Sequence, residues 1–191
     1  SSVILTTSET EQLYKHQLIN RKTNISFWTL PCGFDSCVKI KVDLVSYKKP
    51  LVMTYAGVSY SRDRNLSFLI RSIIELGRDD ENVTFRLFGS YSKSYELIPR
   101  ALDYVSFKGR IGYEESIEVL SQSNILLHIG NYGSLQIPGK TYTYISIPVP
   151  ILYLRQEKGF DPTAEFLSRF GGVILCENNI QSITSSIHYL C

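Results

Sequence analysis

The feature that most constrains this chain is a regular alternation. Short continuous runs of apolar and β-branched residues are separated by stretches with helical periodicity. The runs fall at residues 3–6, 25–30, 51–58, 83–88, 104–108, 125–129, 149–154 and 172–175. Several are apolar at every position rather than at every second one. That is the pattern of strands buried on both faces of a parallel sheet. Between them, Leu66, Leu69, Ile70, Ile73 and Ile74 recur at helical spacing and predict one helix over 65–76. Asn65 is placed to cap its start, and Gly77 suits the left-handed position past its end. A second helix is expected over 114–122, with Glu114 and Glu115 at the positive end of its dipole and Ile117 and Leu120 facing inward. Further helices are expected over 10–20, 141–147, 162–170 and 180–190. The expected fold class is α/β, with a doubly wound, mainly parallel, Rossmann-like sheet.

One composition shift divides the chain. Across residues 31–50 apolar periodicity lapses, while Pro31, Gly33, Lys39, Lys41, Lys48, Lys49 and Pro50 gather. This predicts a linker at 36–49, the tail end of one domain at 1–35 and a second domain at 50–191. The chain has no start Met and opens almost inside a strand, so a preceding part is expected to be left out. A net charge of +2 argues for neither a nucleic-acid partner nor a strongly basic membrane surface. Cys32, Cys37, Cys176 and Cys191 form no CxxC pair, and no His lies near Cys32 and Cys37, so zinc is not expected. Cys176 ends an apolar run and reads as a small buried hydrophobe. No disulfide framework, signal peptide or apolar run near the ~20 residues of a membrane span is present, which predicts a reduced, cytoplasmic protein.

In open α/β sheets, ligands bind beyond the carboxyl ends of the strands, beside helix N-termini. The segments that follow each strand are therefore the candidates. After 51–58, Gly57 opens a route to a helix through Arg64. A glycine admits a phosphate close to the backbone and a cation holds it, although a solvated loop with surface arginines gives the same pattern. Gly89-Ser90, after 83–88, reads as a turn or as a place of close backbone approach. Gly109-Arg110-Ile111-Gly112, after 104–108, reads as a strand-to-helix turn or as backbone that meets a nucleobase edge. The stretch 130–144 is the most distinctive. Pro138 and Gly139 stop any earlier element, and a helix is expected to begin near Lys140. A cation is locally unfavourable there, and either water or a bound anion relieves the conflict. His16 and His188 read as surface residues and His128 as a core residue. No Ser/His/Asp set, metal-spaced cluster or carboxylate pair is evident, so any chemistry rests on binding and electrostatics, and no catalytic side chain is assigned.

These residues together resemble a known family, the group 1 glycosyltransferases (glycosyltransferase family 4), and specifically their C-terminal domain within the GT-B fold. Thr6-Thr7-Ser8-Glu9 resembles a late N-domain strand running into "SE", and Leu30-Pro31-Cys32-Gly33-Phe34-Asp35 resembles "lPnGfD". Tyr55-Ala56-Gly57, followed by Arg64-Asn65, resembles "YaG" and the later "rn". Val105-Ser106-Phe107-Lys108-Gly109 resembles "v.f.G". Ile137-Pro138-Gly139-Lys140-Thr141-Tyr142-Thr143-Tyr144 resembles "vPgKifeY", and Pro148-Val149-Pro150-Ile151 resembles "GkPil". The pieces share the family's order and spacing over nearly the whole chain.

The resemblance implies a division of labour. Residues 1–35 would end an N-terminal acceptor domain and 50–191 would bind a nucleotide-sugar donor. Gly57, Arg64 and Lys140 would hold the donor diphosphate. Gly89, Gly109, Arg110, Ile111 and Thr143 would border the base and ribose. The enzyme would be a retaining hexosyltransferase that needs no metal and no cofactor. It would pass a sugar to a saccharide or lipid-linked acceptor in surface polysaccharide synthesis, in the cytoplasm or at the inner face of the membrane. The chain alone would not turn over substrate. Departures are also visible: the family's two glutamates correspond here to Leu135 and Thr143, and the arginine after its first glycine to Val58. They motivate a second reading, a GT-B-fold binding or scaffold protein without chemistry. An epimerase of the same fold would need cleft carboxylates that these positions lack. A dinucleotide oxidoreductase would need a GxGxxG after a strand.

Overall fold

The computed structural model describes residues 2–18, 25–30, 33, 50–60, 64–78, 83–156 and 158–190. The eight expected strands all form. In chain order the elements are β1 (Ser2–Leu5), α1 (Ser8–Leu18), β2 (Ser26–Thr29), β3 (Leu51–Ser59), α2 (Ser67–Arg78), β4 (Val83–Tyr91), a 3-10 turn (Lys93–Tyr95), α3 (Ala101–Tyr104), β5 (Val105–Phe107), α4 (Tyr113–Ser121), β6 (Ile125–Ile129), α5 (Gly139–Ser146), β7 (Ile151–Arg155), α6 (Pro162–Leu167), β8 (Val173–Glu177) and α7 (Ile180–Leu190).

β3 to β8 build one parallel sheet in the order β5-β4-β3-β6-β7-β8. The chain winds outward from β3 to β5, returns to lay β6 beside β3, and then winds the other way. Strand order therefore reverses between β3 and β6, the place where such sheets open a crevice at their carboxyl edge. β1 and β2 form a separate two-stranded parallel sheet with Ile4 opposite Trp28.

The uninterrupted apolar runs are explained by burial on both faces. All five residues of β6 are buried. Ile125, Leu127 and Ile129 share a core with α2 and α7, whereas Leu126 packs with Ile117 and Leu120 of α4, Tyr144 of α5 and Ile147 just past its end. The α2 stripe is fully enclosed at Leu66, Leu69, Ile70 and Ile73. Each such side chain contributes about 1.5–3 kcal/mol relative to exposure. The Asn65 side chain accepts the Ser67 amide at 2.8 Å and so steadies the start of α2 as expected.

Several expectations are corrected. Gly77 does not end α2 but lies inside it, since the helix runs on to Arg78. The reason is packing: a Cβ on Gly77 would stand 2.1 Å from Cε1 of Tyr104. Gly89 is not in a turn, because β4 continues past it to Tyr91 and pairs along the whole of β3. α6 stops at Leu167, short of the expected 170, and α3 and the 3-10 turn were not anticipated. Cys176 is buried as expected. The linker at 36–49, together with Cys32, Cys37 and Cys191, lies outside the described residues.

Candidate functional site

The carboxyl ends of β3 and β6 bring Gly57, Arg64 and Lys140 together. Lys140 lies in the first turn of α5, whose start carries no acidic residue and no side-chain cap. Its ammonium reaches across to β3 and donates to the Tyr55 hydroxyl at 3.1 Å. It also stands 4.2 Å from the Tyr55 ring centroid and 5.9 Å from that of Tyr144. The Tyr55 hydroxyl in turn donates to the Val58 carbonyl at 2.7 Å. That carbonyl also accepts Nη1 of Arg64 at 3.3 Å. The two cations are thus tied to one another through a phenol and a single carbonyl.

Arg64 is fixed from both ends. Its Nε donates to the Asn131 side chain at 2.5 Å, and its own carbonyl accepts the Ser59 hydroxyl at 2.7 Å. The buried Tyr95 hydroxyl braces the same turn by accepting the Leu66 amide at 3.2 Å. Among the described residues, neither Arg64 nor Lys140 has a carboxylate partner. The electrostatic cost falls on the lysine. Burial, and then the neighbouring Arg64, push Lys140 down to about 7. Burial holds the phenols of Tyr55 and Tyr144 above the usual tyrosine range, so both remain protonated donors. Two cations held together with no counter-charge among the described residues is an arrangement that favours an anion beside them.

Glycines clear the approach to it. Gly57 and Gly89 are register neighbours on β3 and β4, at φ of 151° and 112°. A Cβ on Gly89 would stand 2.0 Å from the Gly57 carbonyl oxygen, so no other residue fits there. A Cβ on Gly57 would crowd the Tyr55 hydroxyl at 3.1 Å and stand 3.6 Å from the Lys140 ammonium.

Beside the cation pair, a cleft of about 280 Å³ opens over the ends of β3, β4 and β5, lined among others by Gly57, Phe88, Gly89, Arg110, Ile111 and Tyr113. Arg110 is exposed but held in place, since its Nε donates to the Ser90 hydroxyl at 2.8 Å. The Gly109 carbonyl accepts the Gly89 amide at 3.0 Å and keeps this loop against β4. Thr143 does not line the cleft. It lies half-buried on α5, and its carbonyl accepts the Ser146 hydroxyl. At Leu135 the backbone rather than the side chain is engaged, its carbonyl accepting the Thr7 hydroxyl at 2.8 Å.

His128 is fully buried beneath the site. Its Nε2 meets the Thr141 hydroxyl at 2.8 Å. Burial, reinforced by Lys140, holds it well below the usual histidine range, so it is neutral. His16 and His188 are exposed.

Tyr55 and Asn131 carry the site's geometry and were not singled out from sequence. The usable signal for Asn131 was its place, two residues past the end of β6 at the point of strand reversal. Tyr55 enters the sequence reading only as the first residue of the resemblance to "YaG", and the part its hydroxyl plays is not legible there, because it otherwise reads as one more apolar strand residue. Among the described residues, no group of three or more His, Cys, Asp and Glu side chains is placed to hold a metal ion. No helix of the described residues is long and apolar enough to cross a membrane.

By sequence, no family model matches the chain, and neither does any curated protein. Solved structures do match it in fold. WaaG, a glycosyltransferase involved in lipopolysaccharide biosynthesis, is similar with a TM-score of 0.70 at 12% identity, over 98% of this chain and 52% of its own. Sucrose-phosphate synthase from Thermosynechococcus elongatus matches with a TM-score of 0.66 at 14% identity, over 99% of this chain and 48% of its own. The pneumococcal O-GlcNAc transferase GtfA, solved in complex with UDP and GlcNAc, matches with a TM-score of 0.57 at 17% identity, over 84% of this chain and 31% of its own. The chain spans about half the length of WaaG or less of these structures. Its fold is the C-terminal half of the GT-B architecture that they share.

Proposed function

We propose that this chain, with the fold of the C-terminal half of a GT-B glycosyltransferase, is the donor-binding domain of such an enzyme. The observation that carries the reading is the convergence of Arg64 and Lys140, without a carboxylate, at the carboxyl edge where strand order reverses. A nucleotide diphosphate fits that charge deficit. Its phosphates lie against Gly57 and between the two cations, and its nucleoside extends into the adjoining cleft toward Gly89, Gly109, Arg110 and Ile111.

The chemistry follows from charge. Breaking the bond between sugar and diphosphate leaves negative charge on the departing phosphate. Cations already in place stabilise that charge more than they stabilise the bound donor. In this reading Arg64 and Lys140 do the work that a metal ion does elsewhere, so none is required. A second domain supplies the acceptor, a saccharide or lipid-linked sugar. The hexosyl group is transferred with retention, on the cytoplasmic side and in surface polysaccharide synthesis. The similarity to WaaG and to GtfA, one described by its role in lipopolysaccharide biosynthesis and the other solved with UDP, supports this choice of substrate class.

A second reading is a binding or scaffold protein that keeps the fold without the reaction. What favours it is the resemblance itself, in which Leu135 and Thr143 correspond to the family's two glutamates. Thr143 offers a ribose at most an uncharged hydrogen bond. Calorimetric titration with UDP, GDP and ADP, each beside its nucleoside, separates the two. Saturable binding of one diphosphate, well above its nucleoside, supports the donor domain. Binding of none, by this chain alone and joined to its second domain, leaves the scaffold.

A further inference from the structure

We propose that the cleft between α1 and α6 is a saccharide-binding site, separate from the cation pair. It lies on the opposite side of α5. Lys140 and Tyr142 are two residues apart and so point roughly 200° apart around the helix. Lys140 reaches Tyr55, whereas Tyr142 packs on Phe166 of α6 with ring centroids 5.2 Å apart.

The cleft holds about 250 Å³, just below the roughly 300–1,000 Å³ of drug-sized pockets. That volume is room enough for a single sugar ring. The cleft is lined by Thr6 and Glu9 at the start of α1, by Tyr142 of α5, by Glu165 and Phe166 of α6 and by Arg169 just past it. Glu9 is half-buried and, among the described residues, has neither a hydrogen bond nor an ion pair. As a carboxylate it only accepts, so it calls for a ligand that donates. Across the cleft, Arg169 meets Glu165 at 3.6 Å, with both side chains more than half exposed. So weak a pair leaves guanidinium protons for oxygen acceptors. Phe166 is only half-buried and presents part of its ring.

A ligand with hydroxyl donors, oxygen acceptors and an apolar C–H face meets all three demands at once, and that is the description of a pyranose. The α1 side of the cleft is also tied to the rest of the fold. The Thr7 hydroxyl, one residue past Thr6, donates to the Leu135 carbonyl at 2.8 Å and ties the start of α1 to the loop before α5.

The proposal does not depend on the nucleotide reading. The test is an NMR titration of the chain with methyl glucoside, methyl galactoside and N-acetylglucosamine, repeated on Glu9→Gln, Phe166→Leu and Lys140→Ala. At least one sugar should saturate with a Kd on the order of millimolar, weakened about fivefold or more by each cleft substitution and unchanged by Lys140→Ala. Failure of all three sugars to saturate by about 50 mM overturns the proposal. So does a sugar that Glu9→Gln binds as tightly as the unchanged chain. Glu9→Gln decides alone if circular dichroism shows that Phe166→Leu does not fold. Sugar binding without nucleotide binding keeps this proposal and, once the chain joined to its second domain also binds no nucleotide, removes the donor-domain reading; the reverse result removes only this one.

Discussion

The Lys140 ammonium and the Tyr55 hydroxyl meet at 3.1 Å, and the hydroxyl's own proton is already committed to the Val58 carbonyl. The lysine is therefore received by a neutral oxygen and the face of a ring, where a carboxylate would ordinarily stand. Its charge is oriented but not cancelled. That keeps it available to an incoming anion and makes it sensitive to pH.

The pH dependence has a definite direction. Lys140 is pushed down to about 7 from an ordinary value of 10.5, chiefly by burial. A bound diphosphate favours the charged form, so at pH 8 binding should take up a proton. Affinity should be highest below pH 7 and should fall by up to about tenfold per unit above it. For folding the sign is reversed. Between about 7 and 10.5 the unfolded chain binds the proton and the folded one does not, so this residue's contribution to stability rises with pH across that window. Titration at pH 8 in two buffers of different ionisation heat measures the proton directly. A heat independent of buffer contradicts the assignment.

The contact between β3 and β4 gives a stability prediction. Gly89→Ala must place its Cβ 2.0 Å from the Gly57 carbonyl oxygen at a φ of 112°, which L side chains rarely adopt. The strands have to separate at the mouth of the cleft. A loss of about 3 kcal/mol or more is expected in urea unfolding. A substitution within about 0.5 kcal/mol of the parent would show that the strands part freely there.

Gly77 makes the opposite point about intuition. Replacing a glycine inside a helix by alanine ordinarily stabilises by up to about 1 kcal/mol, and Gly77 lies in the last turn of α2. Here Gly77→Ala drives its methyl to within 2.1 Å of the Tyr104 ring, and a loss of about 1–3 kcal/mol is expected instead. Trimming the ring in the double variant Gly77→Ala, Tyr104→Leu should restore part of that loss. Thermal unfolding of the three proteins checks it.

These glycines also mark where the sequence was readable and where it was not. Apolar runs locate strands because burial on both faces leaves few alternatives, and the strands at 125–129 and the helix at 180–190 were read to the residue. Arg64 and Lys140 were readable from their places after β3 and at the start of α5. The role of Gly77 was not, since a helix-ending glycine and a packing glycine look alike until Tyr104 is brought against one of them. Gly89 reads as a turn or as a place of close backbone approach, and the sequence does not choose between them because nothing nearby shows that β4 continues in register with β3. Tyr55 and Asn131 escaped for the same reason: each acts through a partner distant in sequence.

The central claim is that Arg64 and Lys140 jointly hold a nucleotide diphosphate. The most direct measurement is a calorimetric double-mutant cycle at pH 6.5, using whichever of UDP, GDP and ADP the chain binds, on the parent, Arg64→Ala, Lys140→Ala and the double variant. Each single substitution should weaken binding about tenfold or more (about 1.4 kcal/mol). The double variant should bind no more tightly than the weaker single one and lose its preference for diphosphate over nucleoside. Binding that survives both substitutions unchanged, or a parent that prefers the nucleoside, would contradict the account.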